Sequence, residues 1–229
     1  MNDRIVLVTG AKGGLGSFVT RSFLAGGATV VGVSRSIQAA DFPHPKFVAV
    51  EADISSRSAA RNITDSVVSR FGCIDVLAHI VGGFAGGATI ADTDDATWER
   101  MRALNLEAAF YAAAAVLPHM RRKKFGRIVG VGSKAAEQPH AGIGAYVVFK
   151  TAMAALFRTI ALENADAGIT SNVVLPGTMD TPANRSAMPD ADFSQWIPPQ
   201  AVADAIVWLA GDQAGHINGA VIPVAGGDV

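Results

Sequence analysis

Seven short apolar runs alternate with longer amphipathic stretches along this chain, and that alternation constrains the fold more than any other feature. The runs lie at residues 4–9 (RIVLVT), 29–33, 47–50, 74–81, 127–131, 170–175 and 220–224. Most are rich in valine and isoleucine, whose branched side chains suit extended backbone. Between them, residues 14–25, 56–71, 94–104, 107–123, 145–165 and 199–210 follow helical patterns. The runs are almost continuously apolar, as strands are when helices cover both faces of their sheet. This order predicts an α/β fold, a three-layer sandwich around a doubly wound parallel sheet of about seven strands. No repeat, low-complexity tract or linker divides the sequence, so residues 1–229 read as one domain. The longest irregular stretch, residues 177–198, is expected to be a functional lid.

Composition excludes several classes. Half of the residues are hydrophobic and 17% are charged, which supplies a core and argues against disorder. A formal net charge of -1 gives no electrostatic reason to expect nucleic acid or an anionic membrane as partner. The basic run RRKK at 121–124 is expected to end a helix as a solvated turn. The single cysteine, Cys73, rules out a disulfide framework, favours a reducing cytoplasmic setting, and is expected to enter a buried strand. The five histidines form no metal-ligand spacing, so no metal is expected. The N-terminus runs straight into a strand without the apolar region of a signal peptide. The stretch AAFYAAAAVL is too short to span a bilayer.

The first turn, VTGAKGGLGS, places Gly10, Gly14 and Gly16 between a strand and a helix. Glycines there let backbone amides approach a pyrophosphate, and the helix N-terminus adds partial positive charge. Lys12 and Leu15 belong to the same turn. The spacing G-x-x-x-G-x-G differs from the usual dinucleotide fingerprint, so a tight structural turn is the rival reading. The second run ends in VGVSRS, with Ser34 and Arg35 where NAD enzymes usually carry a ribose-gripping acid. An arginine there favours a 2'-phosphate, hence NADP(H) over NAD(H). Asp53, beside Ile54, could accept from an adenine amino group or cap the following helix.

One of only two tyrosines, Tyr146, stands four residues before Lys150 in an apolar helix. That spacing puts both on one helix face. A free phenol, with a pKa of about 10, is a poor acid or base near neutrality. A neighbouring cation favours the phenolate, so Lys150 is expected to lower the Tyr146 pKa.

With TGAKGGLG, Asn105 in LNLEAAF, Ser133 in GRIVGVGS, the YVVFK pair, PGTMDTP and the terminal INGAVIPVAGG, the chain resembles the short-chain dehydrogenase/reductase family over nearly its full length. The resemblance implies a Rossmann-type, NAD(P)(H)-dependent oxidoreductase that interconverts a ketone and a secondary alcohol. It implies a catalytic set of Asn105, Ser133, Tyr146 and Lys150. In that set Tyr146 exchanges the proton and Ser133 donates to the carbonyl oxygen. Lys150 also holds the nicotinamide ribose, and Asn105 anchors a proton-relaying water. Val81 and Gly82 are implied beside the adenosine ribose. Pro176, Gly177, Thr178 and Thr181 are implied near the nicotinamide or the start of the lid. Small-residue helices around AAFYAAAAVL and after Tyr146 correspond to those that pair subunits, which implies a homodimer or homotetramer.

Two segments depart from the common pattern. Many relatives carry Asn-Asn-Ala-Gly after the fourth strand, where this chain has His79, Ile80, Val81 and Gly82. His79 is read as a satisfied core histidine, although it could steady the sheet as the asparagine does. The loop GGFAGGATI and the lid resemble the dihydropteridine reductase branch, making quinonoid dihydropteridine reduction an alternative. Ser133, and the lack of an acid after the second strand, weigh against it. Phe193, Trp196 and Met188 supply lid surface to cover a small-molecule substrate, or to meet a neighbouring subunit. A non-catalytic dinucleotide sensor or scaffold is the third reading, and the intact catalytic set opposes it.

Overall fold

The computed structural model describes residues 1–226, so Gly227, the last residue of INGAVIPVAGG, lies outside them. Seven parallel strands form one sheet: β1 (Ile5–Thr9), β2 (Thr29–Ser34), β3 (Phe47–Glu51), β4 (Val76–His79), β5 (Gly126–Val131), β6 (Ile169–Pro176) and β7 (Val221–Val224). Their spatial order is β3-β2-β1-β4-β5-β6-β7. The direction of winding reverses between β1 and β4, and an open α/β sheet binds ligands outside the carboxyl ends of the strands at such a point.

Alternation along the strands builds two cores. Val6 and Val8 face one side with Val19 and Phe23 of α1 (Gly16–Ala25) and Ile206 of α7 (Pro199–Leu209). Ile5 and Leu7 face the other, with Ile63 of α2 (Arg57–Phe71), Val116 of α4 (Ala108–Lys123) and Phe157 of α5 (Gly144–Glu163). Among the described residues, α5 alone is long and apolar enough to cross a membrane by length and composition. Its buried face carries Phe149, Lys150, Met153 and Phe157.

Five expectations need correction. β4 is shorter than its apolar run, because Ile80 and Val81 leave the sheet at the switch point. Cys73 lies before β4, half-buried, with the Lys123 ammonium 3.3 Å from its sulfur. The basic run is only partly solvated, since Lys123 pairs with buried Asp75 and Arg121 bonds Asn164. The 177–198 stretch contains α6 (Pro182–Ala187) and a short turn, Phe193–Gln195. The two helices expected at 94–123 are also joined, α3 (Asp95–Arg102) running through a π-helical turn, Ala103–Glu107, into α4.

Candidate active site

The crevice between β1 and β4 begins at Gly10, whose φ of 69° suits glycine. A Cβ on Gly16 would stand 2.0 Å from the Gly10 carbonyl oxygen, so this turn closes only without side chains. Leu15 is buried in the core, leaving its backbone at the entrance to α1. The first amides of a helix have no partner within it, which makes this a cradle for an anion. Gly14 is exposed and packs against the Thr181 methyl across the crevice, a Cβ there lying 3.2 Å from it. The cradle fits the pyrophosphate of a dinucleotide.

Ser34 ends β2 half-buried and Arg35 is exposed beside it. The Lys12 ammonium reaches from the glycine turn to the Ser36 carbonyl at 3.0 Å and to Asp41 at 2.9 Å. Ser56, not Asp53, caps α2, accepting from Ala59 at 3.2 Å. Asp53 accepts from the Ser55 amide at 2.9 Å, a bond that holds its carboxyl below the usual range. Ile54 is buried beside it. On the other wall, a Gly10 Cβ would meet the Val81 amide at 3.2 Å, and Gly82 is exposed.

Four elements converge at the carboxyl edge of the sheet. Ser133 follows β5, and its hydroxyl accepts from the Ala135 amide at 3.3 Å. Tyr146 and Lys150 occupy the first turns of α5, with the ammonium 5.9 Å from the centre of the phenol ring. Phe84 meets that ring edge-on at 5.1 Å. Asn105 lies buried in the π-helical turn, a distortion frequent at functional sites. Its amide oxygen accepts from the Gly83 amide at 3.0 Å, and its nitrogen donates to the Gly83 carbonyl at 3.0 Å. A Cβ on Gly82 would lie 2.8 Å from the Lys150 nitrogen and 3.1 Å from the Asn105 oxygen, so all three meet at one point. Asn105 thus ties the β4 exit loop to the helix through its side chain.

Burial dominates the electrostatics. Desolvation pulls the Lys150 ammonium down to about 8. It pushes the Tyr146 phenol above its ordinary value, while a hydrogen bond with Ser133 acts in the opposite direction. The expected lowering of Tyr146 by Lys150 is absent here, because a lysine brought down to about 8 is uncharged where a raised phenol titrates; its nitrogen donates at 2.8 Å to the Val131 carbonyl. Below it, His79 bonds Thr9 at 3.0 Å through Nδ1, while Nε2 is buried without a partner among the described residues. His79 therefore steadies β1 against β4 but is only half satisfied.

Pro176 ends β6 buried, and the Gly177 amide donates to Val224 at 3.2 Å. Thr178 is exposed, and its carbonyl accepts from Ile197 at 2.8 Å. Thr181 is buried and caps α6, accepting from Asn184 at 3.2 Å. Phe193 and Trp196 pack on one another with centroids 4.6 Å apart, and Met188 is exposed. Sequence reasoning missed Gly83 and Val131, which act through backbone atoms, and Phe84, which lies in the loop GGFAGGATI without being singled out there. It also missed Asp41, whose tie to Lys12 spans separate turns.

A family profile described as short chain dehydrogenase matches residues 4–192. The short-chain dehydrogenase/reductase cdmF of Talaromyces verruculosus is 30% identical over 246 residues, covering 98% of this chain and 96% of its own. The 3-oxoacyl-[acyl-carrier-protein] reductase FabG of Salmonella typhimurium is 29% identical over 236 residues, with the same coverages of 98% and 96%. The solved structure of ElxO with NADP bound superposes with a TM-score of 0.93 at 24% identity, covering 99% of this chain and 98% of that one, a likeness of fold.

Proposed function

The chain belongs to the short-chain dehydrogenase family and is an oxidoreductase, and from that premise we propose that it interconverts a ketone and a secondary alcohol with NADP(H). The observation that carries this reading is the meeting of Ser133, Tyr146, Lys150 and Asn105 beside a glycine cradle that fits a dinucleotide. A bound nicotinamide supplies or accepts the hydride at the substrate carbon. Ser133 donates to the carbonyl oxygen as negative charge develops there, and Tyr146 gives that oxygen its proton. Lys150 replenishes the phenol and orients the ribose hydroxyls. Asn105 holds the π-helical turn and the Gly82–Gly83 backbone in place around Lys150.

The cofactor is held by the amides of the Gly10–Gly16 turn, with Lys12 and Arg35 at the ribose end and Asp53, Ile54, Val81 and Gly82 around the adenosine. Pro176, Gly177, Thr178 and Thr181 flank the nicotinamide, and residues 177–198 act as the lid. NADP(H) is favoured over NAD(H) because Arg35 is exposed where an acid would otherwise grip the ribose. Exposed Phe110 on α4 and Val148 and Leu162 on α5 support a homodimer or homotetramer, which sedimentation would measure.

The decisive experiment is turnover of Tyr146→Phe against a panel of ketones, secondary alcohols and a quinonoid dihydropteridine. The wild type is expected to turn over a ketone or alcohol with NADP(H). The variant is expected to keep cofactor binding and lose at least about 100-fold in kcat. Undiminished turnover in the variant removes Tyr146 from the mechanism.

A further inference from the structure

We propose that Asp41 is a specificity-determining residue that weakens the hold of the crevice on a 2'-phosphorylated dinucleotide relative to an unphosphorylated one. The inference rests on the cofactor reading above and concerns the ribose end of that site.

Lys12 bridges two segments that would flank an adenosine ribose. Its backbone belongs to the glycine turn, and its ammonium sits 3.0 Å from the carbonyl of Ser36, two residues past the end of β2. That strand end is where a dinucleotide fold reads the ribose 2'-position. The same ammonium lies 2.9 Å from the Asp41 carboxylate. The carboxylate is held in place, since it also accepts from the Gln38 amide at 2.8 Å and closes the short helical turn Ala39–Asp41. Those bonds and the Lys12 cation hold its carboxyl below the usual range, so it is ionised near neutrality.

Around Asp41 the loop is anchored. Ile37 and Phe42 are buried on either side, Phe42 packs on Phe47 with centroids 4.8 Å apart, and Arg21 stands over the Phe42 ring at 5.4 Å. A fixed carboxylate therefore faces one of the two cations at the strand end where a 2'-phosphate would be read. A phosphate carrying nearly two negative charges meets Arg35 and Lys12, but must share Lys12 with Asp41 or displace it. A 2'-hydroxyl carries no charge and meets no such penalty. Asp41 thus opposes the two cations in setting the choice of cofactor.

The test is titration of wild type, Asp41→Asn and Asp41→Ser with NADPH and with NADH, following nicotinamide fluorescence at low and at high salt. Both substitutions remove the charge, and Asn and Ser each retain an oxygen for the Gln38 amide. The expected result is NADPH binding tightened about three- to tenfold, with a smaller change for NADH, and a ratio that shrinks at high salt. An unchanged ratio of the two dissociation constants overturns the proposal. So does an equal weakening for both cofactors, which would make Asp41 a loop cap alone. If the folded wild type binds neither cofactor, the site reading itself fails, and the role of Asp41 falls with it.

Discussion

The ammonium of Lys150 donates a 2.8 Å hydrogen bond to the carbonyl of Val131, the last residue of β5. Two residues later the same strand exit supplies Ser133, which bonds the Tyr146 phenol. One strand end thus holds both the lysine and the hydroxyl that bonds the tyrosine. The lysine does not draw the phenol down, since at about 8 it has lost its charge before a raised phenol titrates. Below that value its charge is solvated by a carbonyl inside the core rather than by the phenol oxygen. A buried cation held this way carries a desolvation penalty that can be measured.

Stability is expected to rise with pH between about 8 and 10.5 because of Lys150. Its folded value, about 8, lies below the ordinary 10.5, so across that window the unfolded chain binds more protons. The penalty is complete below the window and recovered through it, worth roughly 3 kcal/mol at most. Raised Tyr146 acts in the opposite direction, but only above its ordinary value of 10.0. Urea unfolding at stepped pH checks this, with Lys150→Met expected to flatten the rise while losing turnover. An equally steep rise in that variant would assign the effect to other groups.

Gly82→Ala is expected to leave the fold intact and lower kcat by about 10- to 100-fold. The added methyl would lie 2.8 Å from the Lys150 nitrogen and 3.1 Å from the Asn105 oxygen. Neither group retreats cheaply, since one is bonded to Val131 and the other to Gly83. Displacements near 1 Å at a reacting centre cost rates of this order. Steady-state kinetics with a thermal melt separates this from general destabilisation, and unchanged kcat would mean the lysine tolerates the shift.

Ser133→Ala is expected to lower kcat by roughly 100-fold, the scale of losing one donor to a developing oxyanion. A second readout follows from the phenol. The Ser133 bond lowers the Tyr146 pKa, so removing it raises the value further. In the alcohol-oxidising direction, where phenolate is the base, the pH at which activity appears should move upward. A loss of kcat with an unmoved pH profile would confine Ser133 to contact with substrate.

The strand order along the chain was legible because both faces of the sheet are covered, which makes each strand a plain apolar run. The ends of β4 were not, since Ile80 and Val81 continue the apolar character after the backbone has turned away, their amides 3.2 and 3.5 Å from the Thr9 hydroxyl. The π-helical turn shifts the helical period at Asn105 and reads in sequence as a break between two helices. α6 did leave a signal: Thr181 followed by Pro182 is a capping residue before a proline at the first helical position. At the site, Tyr146 and Lys150 stood out by spacing alone. Gly83 and Val131 contribute main-chain atoms, which no side-chain pattern reports. The pairing of Lys12 with Asp41 depends on how the loop after β2 folds back, a tertiary contact with no local signature.

Below pH 6.5 the protein is expected to lose stability through His79, and substitution by asparagine should remove that loss. The Thr9 hydroxyl oxygen accepts from the Ile80 and Val81 amides at 3.2 and 3.5 Å, so its own proton points to His79 Nδ1, 3.0 Å away. That assignment leaves the proton of the neutral ring on Nε2, buried without a partner among the described residues. Burial, with the nearby Lys150 charge, holds the ring pKa near 3 against an ordinary 6.5. Between those values the unfolded chain binds the extra proton, so stability falls as pH drops through the window and levels off below it. A single proton gives a slope of at most about 1.4 kcal/mol per pH unit. Guanidinium unfolding at pH 4 to 7 measures it, and His79→Asn should be shallower by nearly that amount whatever its absolute stability. Identical slopes would mean that the ring takes up its proton in the folded protein, with a rearrangement that supplies Nε2 and Nδ1 with acceptors.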